Sequence, residues 1–227
     1  MTQEMINENK AVFIDILTEA LNNRGESEEN IDDIINALDT SDFFVAPAST
    51  KYHNCTEGGL CDHSLNVYYN MMSLAKNKHL LITKDESGNI IDGSISADSI
   101  AVVALLHDIS KINTYRKAYK NTKVYSENGT KYDNGGKYDW VAVESWEKIP
   151  TSESFLYSNH ETTSEYMIRQ FISLSKEESI AILHHHGGMG YDSYKEGYNL
   201  TSIYNRFSIA TLLHVADMIS TYIDERI

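Results

Sequence analysis

Apolar positions recur at three- and four-residue spacing over most of the chain, which predicts a series of amphipathic helices. Phe13, Ile16, Leu17 and Leu21 form one face of a helix over about Gln3 to Asn23, stopped near Gly25. Ile31, Ile34, Ile35 and Leu38 stripe a second helix that begins after Ser27. Phe43 to Gly59 reads as a loop, because Pro47, Ser49, Thr50 and Gly58-Gly59 interrupt the period. Gly59 leads into a third helix carrying Leu60, Val67, Met71 and Leu74. Beyond a polar turn region, Lys84 to Ser96, the run Ile100 to Leu106 is apolar on every side and predicts a helix in the middle of a bundle.

From about Asn113 to Pro150 the period changes. Asn128-Gly129 and Asn134-Gly135-Gly136 are hairpin-turn signals flanked by strands rich in Tyr, Val and Trp, such as Tyr138 to Trp146. Helical spacing then resumes. Ser158 with Glu161 fits a capping box ahead of Tyr166, Ile168, Phe171 and Ile172. Ser175 with Glu178 fits a second, ahead of Ile180 to His186, which ends at Gly187-Gly188. A last helix is expected over about Arg206 to Glu225. The expected fold class is all-α, a single-domain helical bundle over residues 1–227 with N-terminal helices in 1–45 and a small β-hairpin insertion at 113–150.

Composition narrows the function classes. The chain has 12 glycines and 2 prolines in 227 residues, in keeping with a mostly helical protein. Its formal net charge of −14 disfavours long polyanions such as duplex DNA, whose binding needs many Lys and Arg. Small anionic substrates stay open, since a metal ion can supply positive charge locally. Cys55 and Cys61 form no CxxC pair, so a disulfide framework is excluded and a single bridge is left open. No apolar run is as long as a membrane span, and the polar, acidic start is unlike a signal peptide, so a cytoplasmic location is expected. A homo-oligomer is left open.

Candidate chemistry begins at the dipeptide His107-Asp108, which closes the all-apolar helix. An ionised carboxylate buried there needs compensation, and a bound cation supplies it directly. The competing interpretation is a buried His–Asp hydrogen bond. Lys111, one turn on, shares that side and could hold a phosphate oxygen. His63 lies in register with Leu60, Val67, Met71 and Leu74, and so faces the interior. His160 shares a face with Ser164, Met167 and Phe171, and Asp217 borders the stripe Ile209, Leu212, Ala216, Ile219 and Ile223. His185 sits in the triplet His184-His185-His186, of which one or two can face a common point. Singly, each is more often a satisfied core residue than a ligand. Together, these inward polar groups on five helical segments are hard to explain without metal.

The segments around these residues resemble the HD-domain metal-dependent phosphohydrolase superfamily. Gly58-Gly59-Leu60-Cys61-Asp62-His63-Ser64-Leu65 is similar to its first-histidine segment. Leu105-Leu106-His107-Asp108-Ile109-Ser110-Lys111-Ile112 is similar to its second, and His214-Val215-Ala216-Asp217-Met218-Ile219-Ser220 to its final aspartate helix. The resemblance covers roughly Ala46 to Ile227. It implies that His63, His107, Asp108 and Asp217 hold one ion, and that Asp108 bridges to a second completed by His160 and His185. Manganese, iron, cobalt, nickel or zinc all suit such ligands. The implied activity is hydrolysis of a nucleotide or other small phosphate ester, whether monoester, triphosphate, or cyclic or oligonucleotide diester, by a metal-activated hydroxide, with Asp108 and Lys111 catalytic.

The text Ala46-Pro47-Ala48-Ser49 and the hairpin after the second motif resemble small members often encoded by phages or mobile elements. Bacterial HD-type 3′-to-5′ exoribonucleases are similar across the first motif, including a histidine like His53, but they also carry a nucleic-acid-binding domain, and none is expected in residues 1–227. The alternative activities are therefore 3′-end exonuclease action on single strands and a non-catalytic, nucleotide-sensing domain. His53 could protonate a leaving oxygen or bind phosphate, with a solvated loop histidine as the competing interpretation. His184 and His186 read as packing or supporting groups, and His214 as a group that orients Asp217. Tyr115, Tyr119, Tyr125, Tyr138 and Trp140 could stack on a base, although aromatic hairpins commonly pack on themselves. Lys117, Lys120 and Lys123 could form a phosphate entry path, although a solvated face is commoner.

Overall fold

Thr2 and Ser27 set the first two helices. The Thr2 side chain accepts from the Met5 amide and that of Ser27 from the Asn30 amide, which satisfies amides left open at each helix start. The resulting helices are α1 (Gln3–Asn23) and α2 (Glu28–Thr40), with Gly25 between them at φ +75°. A computed structural model describes residues 1–81, 94–150, 152–154, 159–187 and 194–226. The described residues are mostly helical with one small antiparallel sheet. Among the described residues no helix is long and apolar enough to cross a membrane.

The segment between α2 and α3 (Gly59–Asn77) is irregular, as expected, yet much of its first half, Phe43 to Ser49, is buried. Phe43 is fully buried and packs with Phe13 and Phe44, ring centroids 5.0 and 5.2 Å away. Backbone bonds from Gly58 to Val45, Leu60 to Ala46 and Ala48 to Asn54 pin the segment to the start of α3. The approach is tight enough that a Cβ on Gly59 would meet the Asn54 carbonyl at 2.1 Å, so only glycine fits. Cys55 and Cys61 are both free.

α4 (Ala97–Leu106) occupies the centre. Every residue from Ile100 to Leu106 is buried, and α1, α3, α6 and α8 pack around it, as a helix apolar on all sides requires. It ends at His107, and a single 3-10 turn (Ile109–Lys111) hands the chain to the sheet. Strands β1 (Tyr115–Tyr125), β2 (Lys131–Asp133) and β3 (Gly136–Lys148) pair in the order β1-β3-β2. The register runs from Tyr115 opposite Lys148 to Tyr125 opposite Tyr138, so the first pair forms the base of the hairpin.

The second half corrects several expected boundaries. α5 (His160–Ile168) is capped by Asn159, whose side chain accepts from the Thr162 amide; Ser158 lies outside the described residues. α6 (Lys176–Leu183) has the expected Ser175–Glu178 capping box but stops at Leu183. His184 to His186 therefore lie on a turn that closes at Gly187 with φ +63°, and not on the helix. Arg24 donates to both Glu178 oxygens, at 3.0 and 3.1 Å, and ties the end of α1 to α6. α7 (Tyr194–Arg206) was not expected. α8 (Ser208–Ile219) begins two residues later than expected, and the chain finishes in a π-helical turn (Ser220–Asp224) where an α-helix was expected.

Candidate metal centre

Six sequence-predicted residues from five segments converge in the interior. His63 comes from α3, His107 and Asp108 from the end of α4, His160 from α5, His185 from the turn after α6, and Asp217 from α8. All are buried except His160, which is partly so. Asp108 is the hub. Its Oδ2 lies 3.4 Å from His107 Nε2 and 3.8 Å from His63 Nε2, while its Oδ1 lies 3.7 Å from His160 Nε2 and 3.8 Å from His185 Nε2. Asp217 Oδ1 lies 3.3 Å from His63 Nε2. Bonds of roughly 2.0–2.2 Å to one ion place its ligand atoms about 3.0–3.5 Å apart, which is close to these separations.

The hydrogen bonds behind each ring fix which nitrogen points inward. His107 Nδ1 donates to the Ala104 carbonyl at 2.8 Å and His185 Nδ1 to the Ile182 carbonyl at 2.7 Å. His63 Nδ1 is 3.0 Å from both oxygens of Glu225. A neutral ring whose Nδ1 carries the hydrogen presents a bare lone pair at Nε2. Burial pushes His160 down to about 4 and His185 well below its ordinary value, so both are neutral at pH 7.

Among the described residues, His107 Nε2, His160 Nε2, His185 Nε2 and Asp108 Oδ1 are all buried without a hydrogen-bond partner. Leaving one such atom unsatisfied costs about 1–3 kcal/mol. Four at one point would rival the ~5–15 kcal/mol net stability of a whole domain. The competing interpretation, a carboxylate satisfied within the protein, holds only for Oδ2. Lys111 Nζ is 2.6 Å from that oxygen, and with His107 it outweighs burial and holds the Asp108 carboxyl well below the usual range. Oδ1 and the imidazoles facing it still need an electron-pair acceptor. The donor set therefore fits a divalent cation, and a carboxylate with separate imidazoles on its two oxygens can serve two. Close groupings of His63, His107 and Asp108, of His107, His185 and Asp217, and of His160, His185 and His186 express the same arrangement.

Lys111 and His53 both line a cavity of about 430 Å³ over this centre, with His160 and Asp217 at its floor. His53 is not a solvated loop histidine. Its ring lies 4.8 Å from that of His63, and both nitrogens are buried and, among the described residues, unpartnered. Burial, and then the positive charge of His63 and Lys111, push it down to about 4.

Two groups at the centre, Glu225 and Glu161, are not singled out by the sequence. Glu225 holds His63, and Glu161 lies 3.3 Å from both His160 Nδ1 and His186 Nδ1. His186, read as a packing or supporting group, faces the cavity with Nε2 3.9 Å from Asp217 Oδ2. His214 has a different partner from the one expected. It donates to the His185 carbonyl at 2.7 Å and so steadies the histidine turn, while Asp217 is held by Thr221. Gly187 is required there, because a Cβ would meet the His214 ring at 2.7 Å.

The insertion contributes little to the centre beyond its base, where Tyr115 and Lys148 line the cavity. Lys117 pairs with Glu144 and Glu57, and Lys123 pairs with Asp133 among Tyr125, Tyr138 and Trp140. These aromatics pack on one another and on a lysine, away from the cavity. Comparison of the chain with protein-family models, curated proteins and solved structures found no match.

Proposed function

We propose that the chain is a metal-dependent phosphohydrolase of the HD type, acting on a nucleotide or another small phosphate ester. The single observation that carries the reading is the set of buried, unpartnered Nε2 atoms of His107, His160 and His185 gathered around the Asp108 carboxylate. The resemblance of the segments around His63, His107-Asp108 and Asp217 to that superfamily supports it independently. His63, His107, Asp108 and Asp217 would hold one ion, and Asp108, His160 and His185 a second. A bound divalent cation supplies Lewis acidity, lowering the pKa of a water and polarising a phosphoryl oxygen.

The chain's own residues do the rest. Lys111 sits at the cavity side of Asp108 with its side chain 15% exposed, so its ammonium can hold a phosphate oxygen as charge develops. His53 faces the same space and is neutral at pH 7, able to hold a proton for a leaving oxygen once one is delivered. Burial of Asp108 and His185 keeps bulk water from the imidazoles and strengthens each interaction. No protein nucleophile is required.

Purified chain stripped with a chelator and reloaded with manganese, cobalt or nickel tests the reading. The substrate panel holds phosphomonoesters, nucleoside triphosphates and cyclic diesters. Metal-dependent release of phosphate, pyrophosphate or mononucleotide is expected, and the product names the subclass. A chain that binds metal yet turns over nothing in that panel would contradict it.

A further inference from the structure

The cavity over the centre has an outer rim that the proposed hydrolysis does not use. Tyr52 and Tyr222 both line it, and the two residues are 77% and 55% exposed. They sit on adjoining backbone, because His53 and Arg226 form an antiparallel bridge between the loop and the C-terminal turn. Lys148, the last residue of β3, lines the same cavity. Arg116, Lys117 and Lys123 of the sheet are paired with carboxylates, whereas among the described residues no ion pair involves Lys148. In a chain of net charge −14, a cation placed beside a cavity without a carboxylate partner is positioned for an anion from outside.

We propose that Tyr52, Tyr222 and Lys148 form a recognition subsite for the base and a non-reacting phosphate of a nucleotide carrying more than one phosphate. This rests on the proposed function, since the reacting phosphate must lie at Lys111 and the metal centre. An exposed tyrosine ring offers a flat face to any base, worth roughly five- to 150-fold in affinity per stacked base. An ammonium on a flexible stem suits a phosphate whose exact position varies. A sugar phosphate would leave both rings in water and Lys148 without a partner.

Equilibrium binding to the manganese-loaded chain tests this with inorganic phosphate, ribose 5-phosphate, adenosine monophosphate and α,β-methylene adenosine diphosphate. Adenosine monophosphate should bind about tenfold or more tighter than ribose 5-phosphate. That ratio should collapse toward one in Tyr52→Ala and in Tyr222→Ala, both of which change exposed side chains. The diphosphate analogue should bind more tightly than the monophosphate, and Lys148→Ala should remove that advantage. Inorganic phosphate bound in the presence of metal, with adenosine monophosphate no tighter than ribose 5-phosphate, would overturn the subsite and leave the hydrolase reading intact. Failure of every phosphate to bind the metal-loaded chain would overturn both.

Discussion

Asp108→Asn is expected to give a folded chain that no longer retains metal and has lost its metal-dependent hydrolysis. Asparagine keeps the shape of aspartate, so the end of α4 should pack unchanged around a buried residue. The charge is gone, however, and one oxygen becomes an amide that donates hydrogens. That amide can satisfy the bare Nε2 atoms lying 3.7 and 3.8 Å from Asp108 Oδ1, which the carboxylate cannot. The variant thus replaces the cation with a hydrogen bond. Adding manganese should raise the melting temperature of the parent by mass action and leave that of the variant unmoved. Activity should fall about a thousandfold or more, since losing one group that stabilises transition-state charge already costs ~10²–10³ in comparable enzymes. Elemental analysis, thermal melting with and without manganese, and turnover read the three effects together.

Glu225→Ala is expected to weaken metal binding by about 10–100-fold while leaving every direct ligand in place. Glu225 is buried and accepts from His63 Nδ1 and from Asn66, which fixes the ring so that Nε2 faces Asp108 and Asp217. Without it the His63 ring can turn and change tautomer. Glu225→Gln keeps an acceptor and should recover much of the loss, which separates orientation from charge. The same contacts set a pH dependence. Burial alone would lower the His63 pKa, but the hydrogen bonds that His63 donates to Asp217 and Glu225 outweigh it and raise it to about 10 in the metal-free chain. A raised pKa means that Nε2 holds a proton across the neutral range, and a cation must displace it. Metal affinity should therefore rise with pH between about 6 and 9, with proton release on binding. In Glu225→Ala that rise should be shallower, and a calorimetric titration at several pH values measures it.

The elements best read from sequence are those whose pattern owes nothing to distant contacts. The bounds of α1 agree because Thr2 caps one end and Gly25 breaks the other. The run Ile100 to Leu106 could only be a central helix, and everything chemical then hangs from its last turn. The ligand-type residues were visible because histidine or aspartate in an apolar stripe is costly without a partner. Their supports were not. Glu225 projects outward on an ideal α-helix, but the Glu225 amide bonds to the Ser220 carbonyl five residues back at 2.9 Å. That π turn rotates the carboxylate inward, and apolar periodicity carries no sign of it. His186 could not be separated from His184 while the triplet was read as helical, since the turn after Leu183 sets its direction. α7 has Leu200, Ile203 and Tyr204 at helical spacing, but Gly187, Gly188 and Gly190 before it and Gly197 within it signal a loop.

The central claim is that imidazoles and carboxylates remote in sequence share a cation. Anomalous diffraction from crystals of the manganese-loaded protein, recorded at the metal absorption edge, tests it most directly. The account predicts a peak bonded to Asp108 and to Nε2 of His107, with a second peak, if both sites fill, against His160 and His185. An edge scan showing manganese in the crystal but no peak within bonding distance of Asp108 would contradict it.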